Sequence, residues 1–155
     1  MTTLHLGVVE FPYAHEPPEA KAKAKPSDTP NVTTGDVAEI LEEKYHVMRI
    51  FFELHAKEIT KTLESGLSAS LEALLSGAPP PKNAFQGAEE KIGEQFRQFL
   101  SSKEMEKIGY PGVPTKAALA GVNHRLKHPY AKTNKPRPSF IDTGLYQKSF
   151  RAWVD

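Results

Sequence analysis

Apolar residues recur at spacings of three and four from Val37 to Leu74, through Leu41, Tyr45, Met48, Phe52, Ala56, Ile59, Leu63, Leu67 and Leu71. That period is helical and predicts one amphipathic helix over 34–76 with a single continuous stripe. Thr33 or Thr34 can cap its start, and Asp36 and Glu39 suit the positive end of the helix dipole. Gly77 and the run Pro79-Pro80-Pro81 stop it. Unbroken, such a helix is roughly 60 Å long, about twice the width of a compact domain of this size, roughly 30 Å. It must therefore bend or project. Gly is a poor mid-helix residue, so a break near Ser65-Gly66 is the expectation. Projection would leave Leu67, Leu71 and Leu74 in need of a partner.

Shorter patterns fill the rest of the chain. Asn83 can cap a second helix running to about Leu100, with Phe85, Ala88, Ile92, Phe96, Phe99 and Leu100 on its inner face. A helical turn after Ser102 points Met105 and Ile108 inward and closes at Gly109. Thr115 is a good cap for a third helix, Lys116 to Lys127, with Ala118, Leu119, Val122 and Leu126 together. Period two appears only at the ends. Leu4 to Phe11 reads as a strand weakened by Gly7 and ended by Pro12. Ser149 to Val154 alternates Phe150, Ala152 and Val154 against Arg151 and Trp153. The Asp142-Thr143-Gly144 step before it predicts a turn into a short helical segment at Leu145-Tyr146-Gln147. The fold class expected is α+β, predominantly helical: a long amphipathic helix, shorter helices, and a small β-sheet joining the chain ends.

Pro12 to Thr33 is polar and proline-rich, with the run E-A-K-A-K-A-K-P, and has too little apolar surface to fold alone. Residues 1–33 thus read as a strand plus an extended arm, and 34–155 as a single domain ending in a strand. The arm is either a linker or a segment that gains order by lying across an adjacent subunit.

At 155 residues the chain can bury one core. Twenty Lys and Arg balance nineteen Asp and Glu, for a net charge of +1, which argues against a global electrostatic nucleic-acid binder. The absence of Cys excludes disulfides, thiolate metal sites and a cysteine nucleophile. No apolar run is long enough to span a membrane, and the first residues lack the pattern of a signal peptide. These features fit a protein made in the cytoplasm and kept or assembled there. Locally, the charge is uneven. Between Lys107 and Ile141 there are seven cations (Lys107, Lys116, Arg125, Lys127, Lys132, Lys135, Arg137) and no carboxylate.

Little chemistry follows from the motifs. His124 and His128 stand four apart, but the residues between them are Arg125, Leu126 and Lys127, two of them cations that disfavour a divalent ion. Asp142-Thr143-Gly144 matches the aspartic-protease triplet, yet that chemistry needs paired carboxylates sharing a proton in a β-rich frame. Neither Walker loop nor nucleophile elbow is present. The sequence supports no catalytic residue, metal or cofactor, and the chain is not expected to be an enzyme.

The segments G-V-P-T-K-A-A-L-A-G-V-N-H-R-L and P-S-F-I-D-T-G-L-Y-Q-K-S-F-R-A-W-V carry a resemblance. They resemble the C-terminal half of small tailed-phage virion proteins of the tail-completion, neck and minor-tail type. Thr115, Arg125, Thr143, Gly144, Leu145 and Ser149 match the pattern, which covers about the last 45 residues. The resemblance implies a virion component, made in the host cytoplasm, that forms a ring with itself, usually six-fold, and docks on other tail or neck proteins, with DNA passing nearby. Phe140, Thr143, Gly144, Leu145, Tyr146, Phe150 and Trp153, together with Arg125, Lys127 and Arg137, are the interface candidates. The alternatives are a baseplate or tail-tube-associated structural protein, and a nucleic-acid-binding accessory protein that uses the basic 116–137 segment. Removal of everything after Pro138 is expected to abolish assembly and leave a helical monomer.

Overall fold

The computed structural model describes residues 2–13 and 32–155. The arm expected over 12–33 lies, from 14 to 31, outside the described residues. The described chain is α+β and about 51% helical, with a two-stranded antiparallel sheet. Its sheet joins the two ends of the chain, β1 (Leu4–Val8) pairing with β2 (Phe150–Val154) so that Leu4 faces Val154 and Val8 faces Phe150.

The first helix, α1 (Thr34–Tyr45), starts in a capping box. The Asp36 amide donates to Thr33 Oγ1, and the Thr33 amide donates to the Asp36 carboxylate at 2.8 Å. The long helix expected from the periodicity is interrupted, but at His46 rather than Gly66. His46 sits in the left-handed region (φ 51°, ψ 44°), and Glu42 reaches across it to accept the Met48 and Arg49 amides at 2.8 and 3.2 Å. That carboxylate satisfies amides that a fresh helix start would otherwise leave without a partner. Beyond it, α2 (Val47–Leu75) runs 29 residues, roughly 44 Å, straight through Gly66.

Gly66 has a packing reason. A Cβ there would stand 3.1 Å from the Ala88 Cβ on α3 (Gln86–Ser101), so the missing side chain lets the two helices approach. Ser70 Oγ then donates to the Ala84 carbonyl at 2.9 Å. The restart at His46 also resets the helix phase. Val47 and Phe51, off the predicted stripe, are buried, whereas Phe52, on it, is 44% exposed; Ile59, further along the stripe, is buried as expected.

The core is largely aromatic. Phe51 meets Phe96 edge-on at 5.2 Å, and Phe96 stacks on Phe150 at 3.9 Å. The inner face of α3 is as the spacing predicts, with Ala88, Ile92, Phe96, Phe99 and Leu100 buried. β2 alternates as expected, Phe150 and Ala152 buried and Arg151 and Trp153 exposed. α4 (Glu104–Lys107) adds Met105 to the core. The helix expected over 116–127 is a single turn, α5 (Lys116–Leu119). Gly121 ends it at φ 70°, where a Cβ would lie 2.6 Å from the Asn134 carbonyl oxygen. Finally α6 (Leu145–Ser149) turns the chain from the Asp-Thr-Gly step into β2.

His55 ties α2 to α4. Its ring lies 3.1 Å from Glu58 through Nδ1 and 2.7 Å from Glu104 through Nε2, with the side chain mostly buried. Burial pulls the imidazole pKa down, but the hydrogen bonds and charges of Glu58 and Glu104 outweigh it and leave the group above its ordinary value. The folded chain therefore holds this proton more tightly than the unfolded one. The stabilisation is complete below about pH 6.5, the unfolded value, and fades as pH rises through the higher folded value. His55→Asn should lower the urea midpoint at pH 5.5, and the gap to wild type should narrow by pH 8.5. The remaining histidines are common to both chains, so a gap independent of pH would rule this out.

Candidate functional site

The segment from Gly121 to Leu145 is irregular, and Asp142 organises it. Asp142 Oδ1 accepts the His124 amide at 2.8 Å, and Oδ2 meets His124 Nδ1 at 2.5 Å. His124 Nε2 in turn lies 2.9 Å from the Tyr130 hydroxyl, the two rings edge to face. With the ring neutral, Nδ1–H donates to Asp142 and Nε2 accepts from the phenol, so one tautomer satisfies both contacts. Arg137 closes the clasp from inside. Its Nη2 is 3.8 Å from Asp142, its Nε donates to the Val122 carbonyl, and Nη1 donates to the carbonyls of Pro138 and Ser139. Burial pulls the guanidinium below its ordinary pKa, and Asp142 opposes that shift.

The clasp decides what the Asp-Thr-Gly step does. Asp142 faces an imidazole and a guanidinium, not the second carboxylate of an aspartic-protease pair. His124 and His128 do not share a helix face, because α5 ends before either of them. Among the described residues, no three His, Cys, Asp or Glu side chains are placed together to hold a metal.

The clasp also sorts the basic segment. Arg137 is 9% exposed and serves the fold. Lys107, Lys116, Arg125, Lys127, Lys132 and Lys135 are exposed and form no ion pair among the described residues. Tyr130 stands beside them, 72% exposed.

The other interface candidates divide in the same way. Phe150, Tyr146 and Gly144 are buried inside the chain, because α6 and β2 turn their apolar side onto α3. Burial pushes the Tyr146 phenol well above its ordinary pKa. These three, like Arg137, offer no side chain to a neighbour. Phe140 is half-buried against Tyr45, at 5.3 Å between rings. Leu145 is half-buried, and its amide bonds to the hydroxyl of the exposed Thr143. Trp153 is 44% exposed, stacked on His5 at 5.2 Å and lying over Gly7, where a Cβ would come within 3.0 Å of the indole.

Two further surfaces are open, and the first is the leucine stripe that the sequence left in need of a partner. The distal half of α2 leaves Leu67, Leu71, Leu74 and Leu75 exposed, Leu71 to 52%. A groove also separates α3 from the outer edge of β2. No family model, curated protein or solved structure matches the chain. No helix among the described residues is long and apolar enough to cross a membrane.

Proposed function

We propose that this chain is a structural component of a tailed-phage virion, of the tail-completion or neck type, acting by ring assembly and by docking on neighbouring virion proteins. The apolar stripe on α2 carries the reading. Leu67, Leu71 and Leu74 lie on one flank of a helix at spacings of four and three, and solvent reaches all three. Contiguous exposed apolar surface of this kind marks an interaction site. The sheet, with Trp153 exposed on its outer face, is a second and unlike surface. A closed ring needs two such unlike patches on each copy. The resemblance of the last 45 residues to tail-completion and neck proteins supports the same assignment.

The six exposed cations of the basic segment favour one further reading, in which that face lies along DNA, either as a channel wall or in a nucleic-acid-binding accessory protein. Phosphate contacts of that kind would make DNA affinity fall steeply with salt.

The test is the mass of the purified chain by light scattering. A six-membered ring of 17.2 kDa chains has a mass of about 103 kDa. Replacing Leu71 and Leu74 with Lys should lower the mass of the assembly or abolish its binding to partner virion proteins, with helical content unchanged. A wild-type chain that stays monomeric and binds DNA with a steep salt dependence would favour the accessory reading instead.

A further inference from the structure

The outer end of the clasp, Tyr130, adds little to the burial that holds the fold. Its ring is 72% exposed, and it meets the rest of the clasp through its hydroxyl, 2.9 Å from His124 Nε2, and an edge-to-face contact at 5.4 Å. The turn that carries it is nevertheless fixed from beneath. The Asn123 amide donates to the Pro129 carbonyl at 3.1 Å, and Asn134 Nδ2 donates to the carbonyls of His128 and Pro129 at 2.9 and 3.0 Å. A phenol is thus held in place at the surface with its oxygen open to solvent.

Carboxylate, imidazole and hydroxyl stand here in the order of a base-activated nucleophile. In that arrangement a third group orients the base, and the base faces the hydroxyl. Asp142 Oδ2 lies 2.5 Å from His124 Nδ1, and the tautomer it selects turns the Nε2 lone pair toward the Tyr130 O–H. When the phenol oxygen attacks an electrophile, its proton has Nε2 to go to, and Asp142 stabilises the imidazolium that results. Arg137 shares the same carboxylate oxygen from the buried side, at 3.8 Å. Tyr13 also lies near Asp142 and Thr143, but burial pushes its phenol above its ordinary pKa, and among the described residues it hydrogen-bonds to no imidazole.

The surroundings select the electrophile. Lys127 and Lys132 flank Tyr130 within three residues, both exposed and without an ion pair among the described residues. Between Lys107 and Ile141 there is no carboxylate to oppose them. Such a surface attracts an anionic donor.

We propose that Tyr130 is a nucleophile with His124 as its base and Asp142 as the positioning residue, and that it accepts an acyl group from an anionic donor of the acyl phosphate class. The bond between phenol oxygen and acyl carbon forms as the bond from acyl carbon to phosphate oxygen breaks. The phenol proton passes to His124 Nε2 and leaves with the phosphate. This goes beyond the assembly reading and does not depend on it.

Acetyl phosphate with the full chain at pH 8 is the test, with acid quenching over the first minutes and peptide mass spectrometry. Hydroxylamine cleaves an aryl ester and spares acetyl-lysine, so it separates Tyr130 from Lys127 and Lys132. The reference is the same tyrosine in the urea-unfolded chain. Folding by itself only shields a side chain, so faster reaction when folded requires an activating neighbour. Tyr130 should react about 100-fold faster in the folded chain, the lower end of general-base catalysis. His124→Asn keeps a donor to Asp142 and removes Nε2, and should bring the rate down to the unfolded value with unchanged circular dichroism. K127Q/K132Q should slow acetyl phosphate and leave the neutral donor N-acetylimidazole unaffected; equal effects on both donors would overturn the anionic donor class. If His124→Asn keeps the wild-type rate, the base is overturned. A wild-type rate no faster folded than unfolded overturns the proposal, whether or not the variants fold.

Discussion

Deleting Ser139 to Asp155 is expected to abolish the cooperative unfolding transition, leaving no helical monomer to study. Sequence pattern alone suggests the opposite, that the last seventeen residues are a docking element separable from a helical body. The core shows why they are not. Phe150 is fully buried and stacks on Phe96 at 3.9 Å, and Ile141 and Tyr146 are buried with it. Burying each large apolar side chain stabilises a fold by about 1.5–3 kcal/mol. Losing three of them at once, with a void opened beside Phe96, is comparable to the whole stability of a domain, roughly 5–15 kcal/mol. β1 also loses its strand partner, which exposes Leu4, Leu6 and Val8. Urea titration followed by far- and near-ultraviolet circular dichroism decides the matter. A broad, non-cooperative loss of signal is the expected result. A sharp transition near the wild-type midpoint would mean that α1 to α4 fold alone and that β2 only decorates them. Tests of assembly should therefore use surface substitutions rather than truncation.

The elements that the sequence made legible are those decided by nearest neighbours. The alternation of Phe150, Ala152 and Val154 gave β2, and its inner face is the one buried. The three-and-four spacing of Ala88, Ile92, Phe96 and Phe99 gave α3 and its inner face. The pairing of the chain ends followed from two strand patterns with no other partner. Where the reading failed, the deciding atoms come from elsewhere in the chain. Gly121 turns because the backbone of Asn134 and Lys135 crosses it within 2.8 Å of any Cβ, and this cut the expected third helix to one turn. The clasp joins His124 to Asp142 across eighteen residues, and no local pattern marks that pair. Gly66 looked like a break point because propensity disfavours Gly in a helix, but the close approach of Ala88 keeps the helix running.

The position of the helix break has a testable energetic consequence at two adjacent phenylalanines. Phe51→Ala should destabilise the chain by about 3–5 kcal/mol, whereas Phe52→Ala in the isolated chain should stay within about 0.5–1 kcal/mol, as for an exposed substitution. The periodicity drawn through Val37, Leu41, Tyr45 and Met48 assigns the opposite roles, because it carries one helical phase across His46. In the structure His46 is left-handed, the phase restarts, and Phe51 turns inward against Phe96, Phe99 and Phe150 at ring separations of 5.2, 5.5 and 6.2 Å. Truncating it removes all three contacts and leaves a cavity ringed by rigid aromatics that cannot collapse to fill it. Phe52, 44% exposed, has much less ring to lose from the interior. Urea midpoints at equal m-value measure both. Equal losses at the two positions would mean that α1 and α2 form one continuous helix. If Phe52→Ala instead leaves stability unchanged but weakens assembly, the exposed ring belongs to the same docking stripe as Leu67, Leu71 and Leu74, and the periodicity that predicted a core was reporting an interface.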